Sequence, residues 1–91
     1  MAEKIHCLHI LVKTEQEAKE IEEDLQEGVS FAKLAEQKSI CPSRKQGGDL
    51  GTFGRGMMVK PFEKAAFELQ KGQISQPVKT EFGWHVIKRV E

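Results

Sequence analysis

Nine residues near the start of the chain, Lys4–Val12 (KIHCLHILV), place the first constraint on the fold. They are rich in aliphatic and β-branched side chains and short enough to be one strand. Alternation puts Ile5, Cys7, His9 and Leu11 on one face and His6, Leu8, Ile10 and Val12 on the other. Both faces are partly apolar, so such a strand has to be covered on both sides and belongs in the middle of a sheet.

Helical signals follow at once. Thr14 and Glu17 have the spacing of a capping box, in which hydroxyl and carboxylate each satisfy an orphaned backbone donor. Ala18, Ile21 and Leu25 trace one helical face, and Gly28 supplies a stop. Ser30 can cap a second helix with Phe31, Leu34 and Ala35 facing inward. From Ser39 to Gly56 the periodicity breaks down. Pro42 and five of the eight glycines predict a loop there, with one short strand at Asp49–Phe53. Pro61 stands where a helix would start and Gly72 where it would end, with Phe62, Ala65, Ala66 and Leu69 at helical spacing between them. Ile74–Val78 reads as a short strand that Pro77 confines to an edge, Thr80–Gly83 as a turn, and Trp84–Val90 as a final strand. The order is strand, helix, helix, loop with a short strand, helix, strand, strand. This is an α+β chain with a small, mainly antiparallel sheet.

At 91 residues the chain reads as a single domain over 1–91, large enough for a modest core. Fourteen Lys and Arg balance fourteen Asp and Glu, so no net field draws it to nucleic acid or to an anionic membrane. Its longest apolar stretches are a few residues, far below the roughly 20 that span a bilayer. The start, Met-Ala-Glu-Lys, carries no apolar leader segment, and a cytoplasmic location is the expectation. In a reducing compartment Cys7 and Cys41 are free thiols.

Several residues could carry chemistry. If the first and last strands pair, His9 and His85 can meet on one side of the sheet and fix each other's tautomers; unpaired, each is an independent core or surface histidine. Cys41 opens the irregular loop, where a thiolate near histidine is a nucleophile or ligand and a packed thiol is inert. Cys7, between apolar neighbours on the strand, reads as packing. Three histidines and two cysteines without CxxC or HxxxH spacing exclude a structural zinc site. The stretch GGDLGTFGRG lacks the Lys-Ser or Lys-Thr ending of a phosphate-binding loop, and reads as a tight-turning loop that shapes a groove. Leu50, Phe53, Met57, Met58 and Phe62 near it can build an adaptable apolar pocket or form part of the core. Charge also segregates. Residues 14–36 are strongly acidic, whereas Lys38, Arg44, Lys45, Arg55 and Lys60 face only Asp49 in the next segment; this is a basic rim for acidic peptides or a solvated face.

Three blocks, HILVK at His9–Lys13, GGDLGTFGRGMMVKPFEKAAFEL at Gly47–Leu69 and FGWHVIK at Phe82–Lys88, resemble the signature blocks of the parvulin prolyl isomerases, in the same order. The resemblance covers essentially the whole chain. It implies a parvulin-like β-α-α-α-β-α-β-β fold with a four-stranded sheet, adding a helix before the second strand. It implies a peptidyl-prolyl cis/trans isomerase (rotamase) that assists folding, takes proline-containing polypeptides and needs no cofactor; a monomer is expected. By position, His9 and His85 match the paired family histidines, Cys41 the Cys or Asp beside the substrate peptide bond, and Thr80 the hydroxyl that supports the histidines. Leu50, Met58 and Phe62 match the proline pocket, with Phe53 beside it; Phe82 stands where phosphate-directed members tend to have Ser. Those members also resemble one another in a Lys/Arg cluster in a long loop after the first strand. Here Lys13 is followed by Thr14 and Glu15, so selectivity for phospho-Ser/Thr–Pro is not expected.

Rotation about an X–Pro bond faces a barrier of about 18–20 kcal/mol from amide resonance. A catalyst need break no bond; it must favour the twisted amide over the planar one. Two other readings compete: a non-catalytic peptide-binding or chaperone module using the same groove, and, more remotely, a cysteine hydrolase that would need a base on Cys41 and an oxyanion hole.

Overall fold

The structure, a computed structural model, describes residues 4–91. Its elements are β1 (Lys4–Val12), α1 (Glu15–Gln26), α2 (Phe31–Lys38), a five-residue 3-10 turn (Pro42–Gln46), β2 (Asp49–Gly54), α3 (Lys60–Glu68), β3 (Val78–Thr80) and β4 (Gly83–Arg89). The helix implied before the second strand is that 3-10 turn. The four strands form one antiparallel sheet in the order β2-β1-β4-β3, with β1 central as its two apolar faces require.

Each face has its own core. Ile10, Val12 and Val86 meet Ala18 and Ile21 of α1 and Phe31, Leu34 and Ala35 of α2 on one side. Ile5, Cys7, Phe53 and Ile87 meet Phe62, Ala66 and Leu69 on the α3 side. No helix among the described residues is long and apolar enough to cross a membrane.

Local chemistry sets the ends of the elements. Gly28, at φ +97°, lets the Val29 and Gly28 amides turn back to the Asp24 and Leu25 carbonyls and close α1. The capping box forms in altered form. The Thr14 hydroxyl accepts from the Glu17 amide at 3.1 Å and donates to the Glu17 carboxylate at 3.0 Å, so that carboxylate caps the hydroxyl rather than a backbone amide. Two boundaries differ from expectation. The helix starting near Pro61 ends at Glu68, not Gly72, because Leu69 turns to extended backbone and its carbonyl accepts from Arg89 at 2.7 Å. The strand expected over Ile74–Val78 is only an isolated bridge at Ile74. Pro77 lacks the amide a ladder needs, and β3 begins directly after it, at the sheet edge.

Candidate active site

Pairing of β1 with β4 puts His9 opposite Ile87 and His85 opposite Leu11. The two histidines are therefore diagonal neighbours on the α3 side of the sheet. Their rings stack at 5.2 Å between centroids, with Nδ1 to Nδ1 at 3.0 Å. Such a contact needs one proton between the two nitrogens, so one ring donates and the other accepts. His85 Nε2 lies 2.7 Å from Thr80 Oγ1, which itself accepts from the Phe82 amide at 3.1 Å. With the Thr80 hydroxyl donating to His85 Nε2, His85 Nδ1–H donates to His9 Nδ1, and every proton but one has a partner. That one is on His9 Nε2, which is buried and has no hydrogen-bond partner.

The edge of Phe62 or of a histidine meets the other ring in both pairs, at 5.6 Å for His9 and 5.1 Å for His85. Burial under these aromatic rings lowers the pKa of His9 from 6.5 to about 4, with the neighbouring His85 adding to the effect, and burial lowers His85 to about 4 as well. Both rings are neutral at neutral pH.

Above the pair lies a groove of about 650 Å³ whose lining is mainly apolar. Its lining combines Leu50, Met58, Val59 and Phe62 from β2, α3 and the loop between them, Ile40, Cys41 and Pro42 from the chain entering the 3-10 turn, and His9, Leu11 and His85 from β1 and β4, with the well-exposed Met57 and Phe82. No lysine, arginine or carboxylate lines it, so the basic residues of 38–60 do not form a rim on its walls. A second depression of about 720 Å³, lined by Arg55, Lys60, Glu63 and Lys64 with Phe67, is charged and shares no residue with the groove.

Most of the sequence-derived candidates converge here: His9, Cys41, Leu50, Met58, Phe62, Phe82 and His85 all line the groove. Thr80 acts from behind His85. Phe53, expected to touch substrate, does not line it. It pairs with Ile5 under α3, is 1% exposed, and packs against Phe62 and Phe67 at 6.1 Å each, so it supports the pocket wall from within the core.

Among the described residues no hydrogen bond joins Cys41 to either histidine, and a hydrolase base on this thiol is not in place. Cys7, fully buried, has its thiol pushed up to about 11 by burial, against the opposing pull of Arg89. Sequence reasoning missed Ser39. Its buried hydroxyl accepts from the Leu11 amide at 3.0 Å and the Cys41 amide at 3.3 Å, while the Ile40 amide donates to the Leu11 carbonyl at 2.8 Å. These bonds fasten the Cys41 wall to β1; a serine two residues before a loop cysteine was the available signal.

A family model described as Rotamase, PPIC-type PPIase domain, matches residues 9–91. Foldase protein PrsA 4 of Bacillus cereus is 56% identical over 86 residues, which cover 93% of this chain and 31% of that protein. The chain thus spans about a third of the length of the curated relatives it matches. The solution structure of NmPin, the parvulin of Nitrosopumilus maritimus, superposes with a TM-score of 0.91 at 53% identity, covering 100% of this chain and 99% of that one. The structure of Pin from the archaeon Cenarchaeum symbiosum is 59% identical with a TM-score of 0.87, covering 100% of this chain and 95% of that one.

Proposed function

The chain belongs to the PPIC-type PPIase family, the parvulins, and is a peptidyl-prolyl cis/trans isomerase domain; we propose that its groove works by holding the proline ring apart from a neutral polar floor. The observation that supports this is a lining that combines apolar Leu50, Met58 and Phe62 with the neutral His9–His85 pair and Cys41.

In the planar ground state the amide carries charge separation that water stabilises. An apolar, shielded groove withdraws that stabilisation, while the ring held on Met58 and Phe62 leaves the X side free to turn. In the twisted amide the prolyl nitrogen gains a lone pair and the carbonyl regains double-bond character. Neutral imidazoles impose no ionic preference for the planar amide, and Thr80, fixed between the Phe82 amide and His85, keeps their orientation. Cys41 acts through its position and weak hydrogen bonding, without covalent attack. The lining has no cation to receive a phosphate, so phospho-Ser/Thr–Pro is not favoured.

We further propose that residues 1–91 act as one domain, as a monomer without nucleic-acid or membrane partners, assisting the folding of polypeptides; the cytoplasm is the proposed compartment, on the unpaired thiols Cys7 and Cys41. Refolding of a protein limited by a non-native prolyl isomer tests the activity. The slow phase, tens of seconds or longer when uncatalysed, should accelerate with substoichiometric amounts of this chain. Binding of the unfolded chain without acceleration would select the non-catalytic peptide-binding reading instead.

A further inference from the structure

Resting on the isomerase reading, we propose that Glu63 is a positioning residue: it holds the loop between β2 and α3 so that Met58 stays fixed in the groove for the proline ring. Residues 55–59 belong to no helix or strand, and Gly56 among them sits at φ +87° with open space where a side chain would be. Met58 is half-buried and lines the groove. A methionine is unbranched and flexible, and on an irregular segment its backbone is free to move as well. The segment has to be pinned if Met58 is to meet a ring in one place.

Glu63 pins it at two points. Its amide donates to the Val59 carbonyl at 2.9 Å, and its carboxylate accepts from the Gly56 amide. The two bonds bracket Met57 and Met58. A carboxylate on a backbone amide makes a charge-assisted bond, stronger than a neutral one. One turn further along α3, the Phe67 ring lies 4.2 Å from the Arg55 guanidinium and holds the start of the same segment. Glu63 and Phe67 line the charged depression, which shares no residue with the groove, so Glu63 reaches substrate only through the loop. The competing role is structural. An acidic residue in the first turn of α3 favours the helix through its charge, and Val59 supplies no side-chain cap there. Glutamine separates the two roles, because it keeps the oxygen acceptor and loses the charge.

The experiment measures kcat and KM on a short Ala-Pro peptide for the wild type, Glu63→Gln, Glu63→Ala, Met58→Ala and the Glu63→Ala/Met58→Ala double variant, each checked for its fold by amide NMR. In Glu63→Ala, kcat/KM should fall by about fivefold, mainly through KM, while Glu63→Gln stays within about twofold of the wild type. With Met58 already gone, the alanine should cost less than about twofold more, because the loop then has no ring contact to position. A wild-type KM in Glu63→Ala, a glutamine variant as impaired as the alanine one, or an equal loss in the Met58→Ala background overturns the positioning role and leaves the isomerase reading intact. Hydrogen exchange on the wild type needs no variant to fold. The Gly56 amide should exchange at least about tenfold more slowly than in unstructured chain, and exchange at the unstructured rate overturns the proposal. If the wild type accelerates no peptide, the isomerase reading fails. The same chains titrated with the peptide then decide the loop's role: weaker binding in Glu63→Ala that Glu63→Gln restores supports it, and equal affinities overturn it.

Discussion

Acid should unfold this domain through its two active-site histidines. His9 and His85 each have a folded pKa of about 4 against 6.5 for the free side chain. The unfolded chain therefore takes up protons first as pH falls, so this contribution to stability is complete above 6.5 and is lost on the way down to about 4. A drop of that size corresponds to about 3 kcal/mol per ring, and the coupling of the rings keeps the total below twice that. Against a typical stability of roughly 5–15 kcal/mol this is a large share, and a domain at the lower end of that range is brought to its unfolding midpoint. Asp49 contributes in the same direction at lower pH, because hydrogen bonds from His6 and the Gly51 amide lower its pKa. Glu22, half-buried, has its pKa raised by burial and works the other way. Urea titrations followed by fluorescence of Trp84, the chain's one tryptophan, report this directly. With a urea m-value of about 1–1.5 kcal/mol/M, the midpoint should fall by about 2–3 M between neutral pH and pH near 4. A midpoint that moves by less than about 0.5 M on the same m-value scale, or His9 and His85 ring resonances that titrate near 6.5, would contradict this coupling.

Other outcomes follow from single contacts. At Gly48, φ is +87° and an added Cβ would clash with the His9 carbonyl oxygen, so Gly48→Ala should cost about 3 kcal/mol or more in a chemical denaturation series. Met58→Ala removes part of the ring-holding wall while leaving the cores in place, and kcat/KM should drop by about tenfold with little change in melting temperature. Cys41→Asp should retain most of the activity, whereas a covalent role would require both Cys41→Asp and Cys41→Ala to be inactive. Iodoacetamide on the native protein should label Cys41 and leave Cys7 unmodified by mass spectrometry, because Cys7 is buried with its thiol raised to about 11.

The parts of the fold that were legible in the sequence are those fixed by local or periodic constraints. Two apolar faces on Lys4–Val12 implied a central strand, and Gly28 marked the turn that ends α1. The meeting of His9 and His85 followed once the terminal strands were paired, although nothing in either strand alone required that pairing. Long-range burial was harder to read. Phe53 sits among pocket residues in the sequence, yet its pairing with Ile5 turns it under α3 and into the core. The strand near Pro77 was misplaced because a proline marks an interruption without saying on which side the ladder resumes. Ser39 and Ile40 lie in aperiodic chain, and their roles depend on bonds to Leu11, nearly thirty residues earlier.

Exchange NMR on a short Ala-Pro peptide, with catalytic amounts of the wild-type chain and of Met58→Ala and His9→Ala, decides whether the groove catalyses isomerisation. Faster cis/trans exchange is expected with the wild type, with weaker acceleration by both variants and no advantage for a phospho-Ser–Pro peptide. Unchanged exchange in the presence of demonstrably folded wild-type protein would contradict it and leave the groove as a binding surface.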